Sequence, residues 1–239
     1  MTHDHRSPVR RAAKLLLGIL CAVAITAFRA EEKTAMPATP EAATPLPPPV
    51  RKGRLTLEEA LAARRSVREF SAAPLTDREL SQLFWALQGV TEAAPAPAGA
   101  RRRTAPSAGA LYPLETYVAT AAGLFHYDPE GHRLLRCAGR DVRRALARAA
   151  HDQDAMRGAP AVFAIAAVEA RTERKYGARA ARYVHLEAGH AAQNLLLEAV
   201  ALGLGAVPVG AFDDARVHDV LGLPADEQPL YLIPVGRPR

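Results

Sequence analysis

From Thr56 to the C-terminus, the alternation of apolar and polar positions lays out a series of short helices and strands. Thr56-Leu57-Glu58-Glu59 has the form of a capping box, in which a threonine hydroxyl and a glutamate three residues later satisfy each other's backbone N–H groups. It predicts a short helix through Ala60, Leu61 and Arg64. A second box, Thr76-Asp77-Arg78-Glu79, opens a helix with Leu80, Leu83, Phe84 and Leu87 on one face and Gly89 as its stop. Glu115–Thr120 reads as a strand, and Leu124–Tyr127 with Arg133–Arg136 as a hairpin around Asp128-Pro129-Glu130-Gly131. Asp141–Ala150 is a basic helix, and Ala161–Val168, apolar without a break, suits a central strand. A long helix from Ala180 to Leu202 presents Ala188, Gly189, Ala192, Leu195, Leu196 and Ala199 and is the expected core helix. Ala206–Phe212 is expected as a strand, Asp213 as the cap of a helix through Val217, Val220 and Leu221, and Leu230–Val235 as the last strand. Helices and strands mix without strict βαβ repetition, so the fold class is α+β.

The first 54 residues are different. Residues 1–14 are polar and basic, and Leu15–Phe28 is an uncharged stretch of 14 residues, the pattern of an export signal rather than a full membrane span. Residues 1–30 are therefore read as an N-terminal export signal or membrane anchor, with a small-x-small site at Ala22-Val23-Ala24. Arg10-Arg11 raises a twin-arginine route. Residues 31–54, with Pro37, Pro40, Pro45, Pro47, Pro48 and Pro49 among Ala and Thr, read as a semi-rigid linker, and 55–239 as the folded domain. The expected location is exported, periplasmic or membrane-anchored facing the periplasm.

Composition adds exclusions. At 49% hydrophobic and 23% charged over 239 residues, the chain is too apolar to be disordered. Its formal charge of +6 hints at nucleic acid, but residues 1–30 carry a net +4 of it and the rest only +2. Arg101-Arg102-Arg103 and the helix with Arg143, Arg144 and Arg148 have no interleaved aromatic platform, so no nucleic-acid partner is expected. Of the two cysteines, Cys21 lies in the N-terminal run, leaving Cys137 with no disulfide partner and no cysteine-based zinc site. His185 and His190, five apart on a helix, point about 140° apart and cannot grip one metal from one face. No GxxxxGK[ST] or GxGxxG spacing occurs, which disfavours P-loop and Rossmann enzymes.

Three segments carry candidate chemistry. Arg64-Arg65-Ser66-Val67-Arg68 ends a helix with guanidinium forks and a hydroxyl, groups that bind phosphate. Ala105-Pro106-Ser107-Ala108-Gly109-Ala110-Leu111-Tyr112-Pro113 sets small side chains between prolines, exposing backbone groups that let a flat ring approach. Pro234-Val235-Gly236-Arg237 places an arginine just past a strand, where it can reach the same anion.

These segments, with Glu187-Ala188-Gly189-His190-Ala191-Ala192-Gln193-Asn194 and Leu230-Tyr231-Leu232-Ile233-Pro234-Val235-Gly236, resemble the nitroreductase superfamily of FMN oxidoreductases. The likeness covers Leu55 to Arg239 and is nearest to the SagB-type branch, which includes azoline dehydrogenases. It implies an α+β sandwich with a mixed sheet flanked by helices, forming an intertwined homodimer with FMN at the interface. Carried over by position, Arg64, Ser66 and Arg237 would hold the FMN phosphate beside Arg65, and Arg68 would face the pyrimidine edge of the ring. Ser107, Ala108 and Gly109 would line the ring, and Pro208-Val209-Gly210 would approach its N5 edge. Ala110 and Val209 stand where many members carry asparagine and glutamate, so ring recognition would lean on backbone groups.

SagB-type enzymes also carry a Lys-Tyr pair implicated in taking a substrate proton, and Lys175-Tyr176 matches it. Such groups act as bases near neutrality only where burial or a neighbouring charge lowers their proton affinity. The resemblance thus implies an FMN-dependent oxidoreductase that passes a hydride through flavin N5 in a ping-pong cycle, on a peptide or a small molecule. The competing reading is a flavin-binding or membrane-tethered interaction module without turnover.

Overall fold

The computed structural model describes residues 41–91 and 101–239. The proposed export segment, the start of the linker and the middle of Thr91–Arg103, a stretch rich in Ala, Pro and Arg that the sequence suggests as a surface loop, lie outside them. Among the described residues, seven α-helices surround one antiparallel sheet of seven strands, ordered β1-β4-β3-β2-β5-β7-β6. The strands are β1 (Glu41–Pro45), β2 (Leu114–Thr120), β3 (Gly123–Asp128), β4 (Arg133–Ala138), β5 (Ala161–Ala167), β6 (Gly205–Ala206) and β7 (Gln228–Gly236). The helices are α1 (Leu57–Ala63), α2 (Asp77–Gln88), α3 (Arg143–Ala149), α4 (Asp154–Gly158), α5 (Glu169–Tyr176), α6 (Ala180–Ala201) and α7 (Asp214–Leu221).

Both capping boxes form: the hydroxyls of Thr56 and Thr76 accept from the N–H of Glu59 and Glu79, whose carboxylates accept in return. Asp213 caps α7 by accepting from Arg216 N–H. β5 is buried at all seven positions. Ala161, Phe163, Ile165 and Ala167 enter a core with α2 and α6, while Val162, Ala164 and Ala166 enter a second core with α3, α4 and α7. A continuous apolar run is what a strand covered on both faces requires.

Three expectations are corrected. Ala206–Phe212 is not one strand: after Ala206 the ladder weakens, because Val207 N–H reaches Pro234 O only at 3.4 Å and Pro234, opposite it, has no N–H to return, and Val209 rejoins β7 by exchanging hydrogen bonds with Leu232. The buried face of α6 runs through Val184, Glu187, Ala188, Ala191, Ala192, Leu195, Leu196 and Ala199, whereas Gly189 is exposed with nothing within 4 Å of where a Cβ would stand. Glu41–Val50, expected within the linker, joins the body: Glu41–Pro45 pairs with β4 at the sheet edge, where a proline costs no ladder bond, and Leu46 is buried.

His132, just past the expected hairpin turn, pins this edge. At φ 44° its ring bonds the Tyr127 hydroxyl at 2.8 Å, the Ser81 hydroxyl at 2.8 Å and the Pro47 carbonyl at 3.0 Å. Tyr127 in turn stacks on Phe84 with ring centroids 4.7 Å apart. Replacing His132 with Ala is expected to cost on the order of 1–3 kcal/mol in urea unfolding. Hydrogen exchange should then rise in Glu41–Pro45 while β5 stays protected.

Candidate functional site

The predicted residues assemble in two groups. In the first, α1 ends at Ala63 and the chain turns through Arg64–Phe70 along the β6 edge and the C-terminus. Val67 N–H donates to Ala206 O, Ser71 N–H to Arg237 O, and Ser66 bridges Ala206 in parallel. The approach is close: a Cβ on Gly205 would lie 2.6 Å from Val67. Arg65 folds back onto the carbonyls of Ala62 and Arg64, capping the end of α1. Arg68 reaches only the Ser66 carbonyl, at 3.5 Å. The half-buried Arg64 guanidinium has no hydrogen bond or ion pair among the described residues. Arg237 is already engaged, donating to Glu79 Oε1 at 2.8 Å and to Pro74 O at 3.1 Å. An anion recruiting Arg237 must compete with that carboxylate.

The second group is the turn that leads into β2. Gly109, Ala110 and Tyr112 have φ of 64°, 55° and 47°, and the left-handed region costs a residue with a Cβ on the order of 1–3 kcal/mol. Ser107 holds the turn: its carbonyl accepts from Ala110 N–H and its Oγ from Tyr112 N–H at 2.9 Å. Arg171 donates to Tyr112 O, and the Arg103 guanidinium lies 4.5 Å over the Tyr112 ring. Lys175 and Tyr176, from the end of α5, close over Gly109. A Cβ there would stand 2.9 Å from Lys175 Nζ and 3.0 Å from the Tyr176 hydroxyl, so a side chain at 109 would have to push those two tips aside as well as hold a left-handed φ. Tyr176 meets Tyr183 of α6 edge to face at 4.8 Å, and Arg179 donates to the Tyr183 hydroxyl.

The two groups occupy opposite ends of β5. Leu114 pairs with Ala167 at one end and Val235 with Ala161 at the other, a separation of ~20 Å at the rise of an antiparallel strand. Among the described residues, no hydrogen bond, ion pair or ring contact joins them. Pro208-Val209-Gly210 lies between. The backbone N–H and C=O of Val209 exchange hydrogen bonds with Leu232, while Gly210 borders a cleft of ≈ 680 Å³ with His185, Phe212, His218 and Leu230.

Sequence reasoning missed a buried polar cluster behind the turn. Glu187 is 3% exposed, and Ser107, Gln88 and Arg103 face it. Burial pushes its carboxyl up to about 7 against the opposing pull of those three neighbours. Its spacing was a usable signal: it shares a helical face with Val184, Ala188 and Ala191. Among the described residues, no group of three or more His, Cys, Asp or Glu is placed to hold a metal ion. The basic segments are also engaged internally: Arg143 binds Asp141 and the carbonyls of Ala159 and Pro160, and Arg103 bonds Gln88.

A seven-stranded antiparallel sheet between two helical layers, with a strained glycine turn at one end and an arginine-rich helix end at the other, defines an α+β fold. The Nitroreductase family model matches residues 61–237, and the chain belongs to that family. A Methanocaldococcus jannaschii protein named as a nitroreductase is 46% identical over 189 residues, 77% of this chain and 91% of its own. A Ralstonia eutropha crystal structure bearing the same family name superposes with TM-score 0.72 at 30% identity, covering 86% of this chain and 93% of its own. The NADPH:FMN oxidoreductase of Vibrio harveyi, solved with NAD+, shares the fold at TM-score 0.55 and 23% identity over 76% of this chain and 68% of its own.

A group whose proton is held more tightly when folded loses stability as pH rises between its unfolded and folded values. Wild type should therefore lose on the order of 3 kcal/mol relative to Glu187→Gln between the ordinary glutamate range and about pH 7, read from urea midpoints across that range.

Proposed function

We propose that this protein is an FMN-dependent oxidoreductase of the SagB-type dehydrogenase branch, working as a homodimer with its flavin at the interface. The observation that carries the reading is the packing of Lys175 and Tyr176 directly on Gly109, in the strip that the resemblance assigns to the ring. Two motifs far apart in sequence meet where that branch would need them.

The residues present fit the cofactor. Arg64 is an unpaired guanidinium beside Ser66, able to take a phosphate, and Arg68 is exposed with a single long contact. Ser107, Ala108 and Gly109 offer a flat surface without bulky side chains, kept in place by the Ser107–Tyr112 hydrogen bond. Bound FMN would supply two-electron transfer through N5, alternating between donor and acceptor in a ping-pong cycle. Lys175 and Tyr176 would hold or accept a substrate proton beside the ring, and Gly210 would border the substrate cleft. Arg237 would either leave Glu79 for the phosphate or keep the helix end in place for Arg64.

A second chain is needed to complete the site, because phosphate and ring groups stand ~20 Å apart along one β5. The dimer is further supported by apolar side chains left at the surface: Leu57 is 61% exposed, Leu61 51% and, on α6 beside the open Gly189, Leu186 51%. Residues 1–30 would export or anchor the enzyme. Among the described residues, no helix is long and apolar enough to cross a membrane.

Protein expressed without residues 1–30 should be yellow, with absorbance maxima near about 370 and 450 nm, and should elute as a dimer. Photoreduced protein should reoxidise with quinones, nitroaromatics or oxygen. A colourless monomer that stays so with excess FMN would refute the proposal, and a bound flavin that never cycles would instead favour a flavin-binding module. Tyr176→Phe should lower kcat for a carbon-oxidation substrate by about ten- to a hundredfold while flavin binding persists; unchanged steady-state turnover would remove Tyr176 from the proton step.

A further inference from the structure

Glu187 lies on the inward face of α6, and its Oε1 has no hydrogen-bond partner among the described residues. The groups facing it come from three other segments. Gln88 ends α2, Arg103 forms the bridge to Val90, and Ser107 heads the strained turn. Gln88 Nε2 and Arg103 Nε are also buried and unpartnered, so three orphaned polar atoms gather under one turn. Buried polar groups are nearly always satisfied, and a local violation of that rule marks a place shaped by something other than stability.

The charges around Glu187 are few. Arg103, itself near Glu115, Glu130 and Tyr112, is the cation that faces it, and a guanidinium stays charged throughout the range where a carboxyl titrates. On α6 itself, the half-buried Tyr183 and the exposed His190 stand one turn to either side. Ser107 is the link to the turn. Its Oγ already accepts from Tyr112 N–H, which leaves its hydroxyl hydrogen free to be donated. An ionised Glu187 can only accept that hydrogen, whereas a protonated one can donate instead.

We infer that Glu187 is a positioning residue for the flavin turn, setting the charge and the hydrogen-bond direction behind Ser107 and so making the turn's grip on an electron-rich ring depend on pH. The inference rests on the assignment of Ser107–Gly109 to the ring. Its sign follows from charge. A neutral carboxyl leaves the turn hospitable, while ionisation brings a negative charge behind a ring that gains electron density on reduction. Burial raises the Glu187 carboxyl to about 7, so this change falls near neutrality.

The test is FMN affinity, by fluorescence quenching of the flavin, in wild type, Glu187→Gln and Glu187→Asp across about two pH units either side of neutrality. Ionisation of the FMN phosphate is common to all three proteins and cancels in the comparison. Wild-type affinity should fall about three- to tenfold more than that of Glu187→Gln as pH rises, and Glu187→Asp should keep a slope with a displaced midpoint. Parallel profiles in wild type and Glu187→Gln would mean a purely structural carboxyl and would overturn the inference. If Glu187→Gln does not fold, Glu187→Asp decides: a displaced midpoint supports the inference and an unchanged profile overturns it. Wild type that binds no FMN at any pH would instead defeat the functional reading itself, and this inference with it.

Discussion

The double burial of β5 is the constraint on which the rest of the structure depends. Seven apolar residues with no solvent face demand a helical layer on each side, and alternate side chains feed the two cores separately. Its neighbours are then fixed as β2 and β7. β2 brings the Ser107–Tyr112 turn to one end, and β7 brings Arg237 and the Arg64–Phe70 segment to the other. The separation of the two candidate groups is thus a consequence of strand pairing rather than of loop placement.

The turn illustrates how local strain is sustained. Left-handed φ at Ala110 and Tyr112 is unfavourable for residues with a Cβ, and the surroundings over-determine it. Ser107 clamps the backbone from within, Arg171 and Arg103 hold Tyr112 from outside, and Lys175 and Tyr176 cover Gly109. The cluster beneath is polar and incompletely satisfied, which a purely structural core avoids. Strain above and orphaned polar atoms below coincide at one turn.

Much of the fold was legible in the chain because the signals were local. Two capping boxes, an unbroken apolar run and a hairpin with turn residues each encode one element within ten or so residues. What escaped depended on distant partners. β1 is Glu, Ala, Thr and Pro without alternation, and it becomes a strand only because β4 offers an edge and Leu46 finds a core. The shortened β6 reflects the missing N–H of Pro234 opposite Val207, a cue that apolar patterning ignores. For the site, Ser107–Gly109 and Lys175–Tyr176 were each identifiable, but their contact was not. Glu187 was visible only as a position on the apolar face of α6 within the Glu187–Asn194 motif, since a sequence shows a carboxyl without showing which groups it faces.

The late addition of β1 bears on how the protein behaves when shortened. A chain beginning after Val50 would keep β5, the whole turn and both cores save Leu46, yet it would strip β4 of its outer neighbour. The outermost strand would then present a ladder of unpaired amides and carbonyls with Leu135 and Arg136 in mid-strand, a ready template for edge-to-edge stacking with other copies. Ten residues that look like mere leash thus act as a guard against self-association.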